Sequence, residues 1–194
     1  RDLLQQALKI RLLRQDTAPL EVASVRHNLA LVHARAGRHE VAVDQYREAL
    51  AAKLRALDRL HPSVLNTQTA IAVALANLQR FDEALAMHRD LVVARRQLHG
   101  PRSAKVSAAL NEVANVLQDA GRLEEAVATY QEALALDEQI SGRKSIDVAV
   151  RLNNLASARE DAGDPGAEAL YRESLAIRRG LLAPGDLSVA RAEH

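Results

Sequence analysis

Four stretches decide how this chain folds: AGRHEVAV at residues 36–43, LQRFDEAL at 78–85, DAGRLEEAV at 119–127 and DAGDPGAEAL at 161–170. Gly37, Gln79, Gly121 and Gly163 hold the same place in each, at a constant interval of 42. A fixed period of this size marks an array in which one helical hairpin is repeated. Upstream of the first turn, Val22, Val25, Leu29, Val32 and Ala36 follow in steps of three and four, which is the apolar stripe of a helix. Downstream, Ala42, Tyr46, Ala49, Leu50, Leu54 and Leu57 trace a second stripe of the same kind. Helices before each turn are called A and those after it B.

The B stripe recurs as Ala84, His88 and Leu91, as Ala126, Tyr130 and Ala133, and as Ala167, Tyr171 and Ser174. Small residues fall wherever two helices have to approach closely. His88 reads as a packing substitute for tyrosine rather than a base. The last turn is one residue shorter and contains Pro165 and Gly166, which suit a tight turn. Pro19, Pro62, Pro101 and Pro184 separate the repeats, each ending one helix or opening the next. Arg59, Arg95, Arg96, Arg178 and Arg179 lie near B-helix ends, where cations complement exposed carbonyls.

The pattern predicts an all-α fold of antiparallel helix pairs, an α-solenoid, with repeats over residues 17–60, 61–100, 101–142 and 143–183. Gln6-Ala7-Leu8 precedes Glu48-Ala49-Leu50 by the same interval, so residues 1–16 read as a B helix without its A partner. Residues 184–194 read as the start of a further A helix, because Val189 to His194 aligns with Val22 to His27. A solenoid buries its core only between neighbouring repeats, so the chain is expected to be part of a longer array. Apolar stripes at its two ends would then permit end-to-end self-association.

Composition agrees with a thin helical core. Hydrophobic residues make up 48% of the 194, yet the only aromatic rings are Tyr46, Phe81, Tyr130 and Tyr171. There is no cysteine, which excludes disulfides, thiolate metal sites and a cysteine nucleophile. No apolar run is long enough to span a bilayer, and the charged N-terminus does not resemble a signal peptide, so a cytoplasmic protein is expected. Lys and Arg total 26 against 25 acidic residues, which gives no general field for nucleic acid or an anionic membrane. Arginine outnumbers lysine 22 to 4, compatible with a GC-rich bacterial genome.

Asn28-Leu29-Ala30, Asn153-Asn154-Leu155-Ala156, Gly37, Gly121, the Ala-Tyr-Ala spacing of the B helices and His61-Pro62 together resemble the tetratricopeptide repeat (TPR). The 42-residue length is similar to its kinesin light chain variety. The resemblance implies a right-handed superhelix whose A helices line a concave groove for peptides of partner proteins. Repeat two departs from it at Ala70, Gln79 and His88, and repeat three has Glu112 at the place of Asn28.

Carried onto this sequence, the groove positions of the family include Asn28, Leu31 and Arg35 in repeat one and Asn66, Val73 and Asn77 in repeat two. Repeat three supplies Asn111, Glu112, Asn115 and Asp119, and repeat four Asn153, Asn154, Ser157 and Asp161. All seven asparagines fall on A helices, although Asn is a poor helix-interior residue. Any one of them has a plainer use, a bond to a neighbouring helix or to water. As a set they suit a ladder that reads a peptide backbone, since each amide donates and accepts. His27 and Arg35 at one end and Glu112, Asp119, Glu160 and Asp161 at the other give an uneven charge, either ordinary surface charge or a preference for basic ligand groups near repeats three and four.

No catalytic or cofactor chemistry is legible. His27, His33 and His39 are six apart, off a common helical face, and the glycines stand singly at turns, so neither a metal site nor a phosphate loop is expected. A groove that reads RNA should be basic and carry stacking rings, and this one is acidic over half its length. The expected function is therefore a non-enzymatic scaffold, without cofactor or metal, that binds a peptide of another protein or of its own parent chain. Two alternatives are a sensor or regulatory arm of a larger signalling ATPase or protease, and a self-assembly module.

Overall fold

The computed structural model describes residues 19–181 and Gln6. Both the unpaired B helix over residues 1–16 and the further A helix over 184–194 lie outside the described residues, Gln6 excepted, which is helical. The described chain forms α1 (Pro19–Arg35), α2 (His39–Ala56), α3 (Pro62–Asn77), α4 (Phe81–His99), α5 (Ala104–Asp119), α6 (Leu123–Ser141), α7 (Ile146–Asp161) and α8 (Ala167–Leu181). Odd-numbered helices are the A helices and even-numbered ones the B helices. The chain divides into two compact units, residues 1–91 and 92–194, with the boundary inside α4 rather than at a junction between repeats.

In the first unit α2 packs against both α1 and α3, and α1 also touches α3. Ala23, Ala30, Ala42 and Ala49 are completely buried there, beside Tyr46, Ile71 and Leu75. A methyl group at these places lets helix axes approach, while one ring per repeat fills the volume between them. In the second unit α5 packs on α6, α6 on α7 and α7 on α8. Its buried residues repeat the scheme: Ala126, Tyr130 and Ala133 from α6, Leu117 from α5, Leu152 and Leu155 from α7. His88 is 2% exposed at the position that Tyr46 and Tyr130 occupy, as expected of a packing substitute.

The A-to-B turns share one hydrogen-bonding scheme. The N–H groups of Arg38, Arg80, Arg122 and Asp164 reach back to the carbonyls of His33, Leu75, Leu117 and Arg159, closing each A helix with a left-handed residue. That residue is Gly37, Gly121 and Gly163, each at φ 72°, and in repeat two it is Gln79 at φ 59°. A side chain there costs about 1 kcal/mol of backbone strain, part of which glycine gives back as entropy in the unfolded chain. Gln79→Gly is accordingly expected to raise stability by roughly 0.5 kcal/mol, read as a higher urea midpoint with an unchanged slope. An unchanged or lower midpoint would show that Gln79 is not strained.

Helix starts are equally local. Ser103 Oγ accepts from the Val106 N–H and Ser145 Oγ from the Val148 N–H, so α5 and α7 begin on serine caps. Pro62 opens α3, with His61 Nδ1 accepting from the Ser63 N–H. In the shortened turn, Asp164 Oδ1 accepts from the Gly166 N–H and sets the chain into α8.

Candidate binding faces of the A helices

Each unit presents its own pair of A helices, and the two pairs differ. On α1 and α3, Asn28, Arg35, Asn66 and Asn77 are exposed, and Leu31 and Val73, one repeat apart, are 37% and 44% exposed. Asn77 turns its amide onto its own helix, donating to the Val73 carbonyl at 2.8 Å. The amides of Asn28 and Asn66 have no hydrogen-bond partner among the described residues. Helix α3 has no charged side chain anywhere along its length.

Behind this face lies a polar contact of a kind not expected from the sequence. Lys53 of α2 is 4% exposed and donates to Thr67 Oγ1 at 2.8 Å and to the Ser63 carbonyl at 3.3 Å. Thr67 Oγ1 in turn donates to the Ser63 carbonyl at 2.9 Å and lies 3.2 Å from His27 Nδ1. The His27 ring rests 5.0 Å from that of Tyr46. Burial, and then the nearby Lys53 ammonium, push the His27 pKa below its ordinary value. Lys53 makes no ion pair among the described residues, and burial lowers its pKa as well.

On α5 and α7 the polar side chains bond to one another. Asn154 Nδ2 donates to Asn111 Oδ1 at 2.8 Å, and Asn111 is only 8% exposed. The Tyr130 hydroxyl lies 2.5 Å from Asn115 Oδ1 and 3.0 Å from Gln118 Oε1, and its one proton serves one of them at a time. Gln118 Nε2 donates onward to Ser157 Oγ at 3.1 Å and to Asp161 Oδ2 at 2.5 Å. Here the asparagines find the plainer use considered above, tying α7 to α5. Asn153 is half-buried and bonds to nothing among the described residues.

The acidic end of the expected groove is also tempered. Glu112 is half-buried; burial raises its carboxyl pKa, and Arg95 and Arg151 on either side partly offset this. Asp119 and Asp161 remain exposed. Below them, Arg151 Nε stands 2.9 Å from Asp137 Oδ2, with side chains 13% and 4% exposed, and 3.3 Å from Ser107 Oγ. The sequence did contain a hint of this pair. Lys53, Arg95, Asp137 and Arg178 recur at intervals of 42, 42 and 41, charged residues at one place of an apolar stripe.

Nothing among the described residues assembles a metal site, since no group of three His, Cys, Asp or Glu side chains converges. His33 accepts at Nδ1 from Arg38 Nε at 2.9 Å, a structural use at the foot of the first turn. No described helix is long and apolar enough to cross a membrane.

The family model of the tetratricopeptide repeat matches residues 21–97, 63–139 and 105–180, windows displaced by one repeat length each. This chain is a tetratricopeptide repeat protein. Solved structures place the TPR chain among kinesin light chain-like folds. A kinesin light chain-like protein of Podosopora anserina with nearly identical TPR-like repeats is 22% identical at a TM-score of 0.81, covering 94% of this chain and 87% of that one. BtubC (BKLC) from P. vanneervenii is 22% identical at 0.77, covering 95% and 74%. The Rap conjugation gene regulator of the plasmid pLS20, in complex with the Phr* peptide, is 16% identical at 0.66. That match covers 99% of this TPR chain and 51% of the regulator, so the chain spans about half its length. Among curated protein sequences none matches.

Proposed function

We propose that this TPR protein is a non-enzymatic interaction scaffold that binds an extended peptide, from a partner or from its own parent chain, on its A-helix faces. The observation that carries the reading is the α1–α3 face, where the unpartnered amides of Asn28 and Asn66 stand on the same helices as the exposed Leu31 and Val73. Two amides that can pair with a peptide backbone and two aliphatic contacts form a recognition strip. On α5 and α7 the same role falls to Asn153 and Asp119, because Asn111, Asn115, Asn154, Ser157 and Asp161 already bond within the protein. The pLS20 regulator, solved with a peptide, shares the fold and supports a peptide as the ligand class.

Peptides selected from a random display library against the whole chain provide the test. Asn28→Ala with Asn66→Ala should weaken the selected peptides by about tenfold, the worth of two exposed hydrogen bonds. Leu31→Glu with Val73→Glu should abolish binding, and helicity should be unchanged in both. Peptides that bind every variant equally would remove the A-helix face from the account. Asn111→Ala with Asn154→Ala is a poorer probe, because it also breaks the α5–α7 bond.

A further inference from the structure

The first unit contains a seam built of bases without an acid. Lys53 of α2, 4% exposed, and His27 of α1 meet at the Thr67 hydroxyl of α3. That oxygen carries one proton and two lone pairs. The Ser63 carbonyl takes the proton, Lys53 takes one lone pair, and His27 Nδ1 at 3.2 Å is left to donate to the other. Neutral His27 therefore keeps its proton on Nδ1. A second proton adds at Nε2, which bonds to nothing among the described residues.

Few groups face the ring. Helix α2 brings Tyr46 and Lys53, and α3 brings Thr67 and no charged side chain. The carboxylates of α1 and α2 serve elsewhere: Glu48 pairs with Arg26, Glu40 and Asp44 act on Arg80, and Glu21 opens α1 six residues before His27. Arg35, a further cation of α1, acts on Tyr46. The contact also holds the recognition strip in shape. His27 and Thr67 are the chain neighbours of Asn28 and Asn66, the two open amides, so the bridge between them sets the spacing of those amides. Helices α1 and α3 touch each other far less than each touches α2.

We infer that this contact is an acid-operated latch on the α1–α3 face, closed while His27 is neutral and opened by its protonation, which releases the bound peptide. Protonation leaves two cationic donors, Lys53 and the imidazolium, on one hydroxyl oxygen with no carboxylate beside them. The ring is driven from Thr67, α1 loses its hold on α3, and the spacing of Asn28 and Asn66 goes with it. Release rests on the peptide reading given above; the latch itself does not. Burial, and then Lys53, hold His27 below the ordinary histidine pKa, so the unfolded chain takes up this proton near pH 6.5 while the folded chain resists it. Stability from the latch is complete above that pH and falls as pH drops through it.

The whole chain is used throughout. Histidine ring signals followed by NMR, with His27 assigned by its loss in His27→Gln, should titrate below about pH 6.5 in the parent and closer to it in Lys53→Met. Urea midpoints should fall between about pH 7.5 and about pH 5, by less in Lys53→Met than in the parent. Peptides with both ends capped, selected at about pH 7.5 from a library without His, Asp or Glu, carry no group that titrates in this range. They should bind the parent at least about threefold more weakly at the acid end, a dependence that shrinks in Lys53→Met and vanishes in His27→Gln. An unshifted His27, one indifferent to Lys53→Met, or parallel stability curves would overturn the inference. So would peptides that hold equally at both pH values or weaken equally in all three proteins. A library that yields no binder would refute the peptide reading, and the ring titration and urea midpoints would still decide the latch.

Discussion

Arg151→Met should lower the unfolding free energy by about 3 kcal/mol, the cost of stranding one partner of a buried ion pair. Asp137 is 3% exposed, and Arg151 is the cation that faces its Oδ2 at 2.9 Å. Methionine keeps much of the arginine volume, so the loss measures charge rather than packing. Glu112 would also lose one of the two cations that offset its burial. Asp137→Leu with Arg151→Met is expected to recover to within about 1 kcal/mol of the parent, since a well-packed apolar pair often replaces a buried ion pair at little cost. Ser107 keeps its bond to the Ala133 carbonyl in that variant. Urea unfolding followed by circular dichroism decides the matter. A near-parental Arg151→Met would mean that water reaches Asp137 freely.

Tyr130→Ala should cost about 4 kcal/mol, in the range for emptying a buried aromatic site. The residue is 2% exposed and fills the space between α5 and α6. Tyr130→Phe separates ring from hydroxyl and should cost about 1 kcal/mol, because it removes the donor shared by Asn115 and Gln118. The two variants also differ in alkali. Burial above all, then the carboxylates of Asp119 and Glu112, hold the Tyr130 pKa far above its ordinary value. The folded state thus keeps the proton that the unfolded chain gives up near pH 10. Stability from this group is complete below that pH and falls as pH rises beyond it. Tyr130→Phe should lose less stability than the parent above about pH 10; parallel pH curves would contradict this account.

Much of the fold was legible because its determinants are local. The turn at Gly37, Gln79, Gly121 and Gly163 and the alanines of the B stripe depend on residues within one or two helical turns. The use of each polar group was not legible, because it depends on which atom of the next helix lies opposite. Asn154 and Asn111 belong to successive repeats and looked like two rungs of a ligand ladder, yet they bond to each other. Glu112 looked like open acidic surface, and Arg95 and Arg151 flank it. Asn28 and Asn66, drawn from the same pattern, do present free amides. One periodic signal thus covered two different uses, and only the packed side chains separate them.

The contacts Lys53–Thr67 and Asp137–Arg151 occupy equivalent positions two repeats apart and are chemically unlike. Placing the fourth repeat directly after the first would press Arg151 against Lys53, two cations at a dry seam. Placing the second after the third would leave Asp137 with only the hydroxyl of Thr67. Duplicating the first repeat would set Lys53 against Val25. The repeats look interchangeable in outline, but these two seams accept different neighbours. An array of this kind cannot lengthen by copying a single unit without also rewriting the residues where the copy joins.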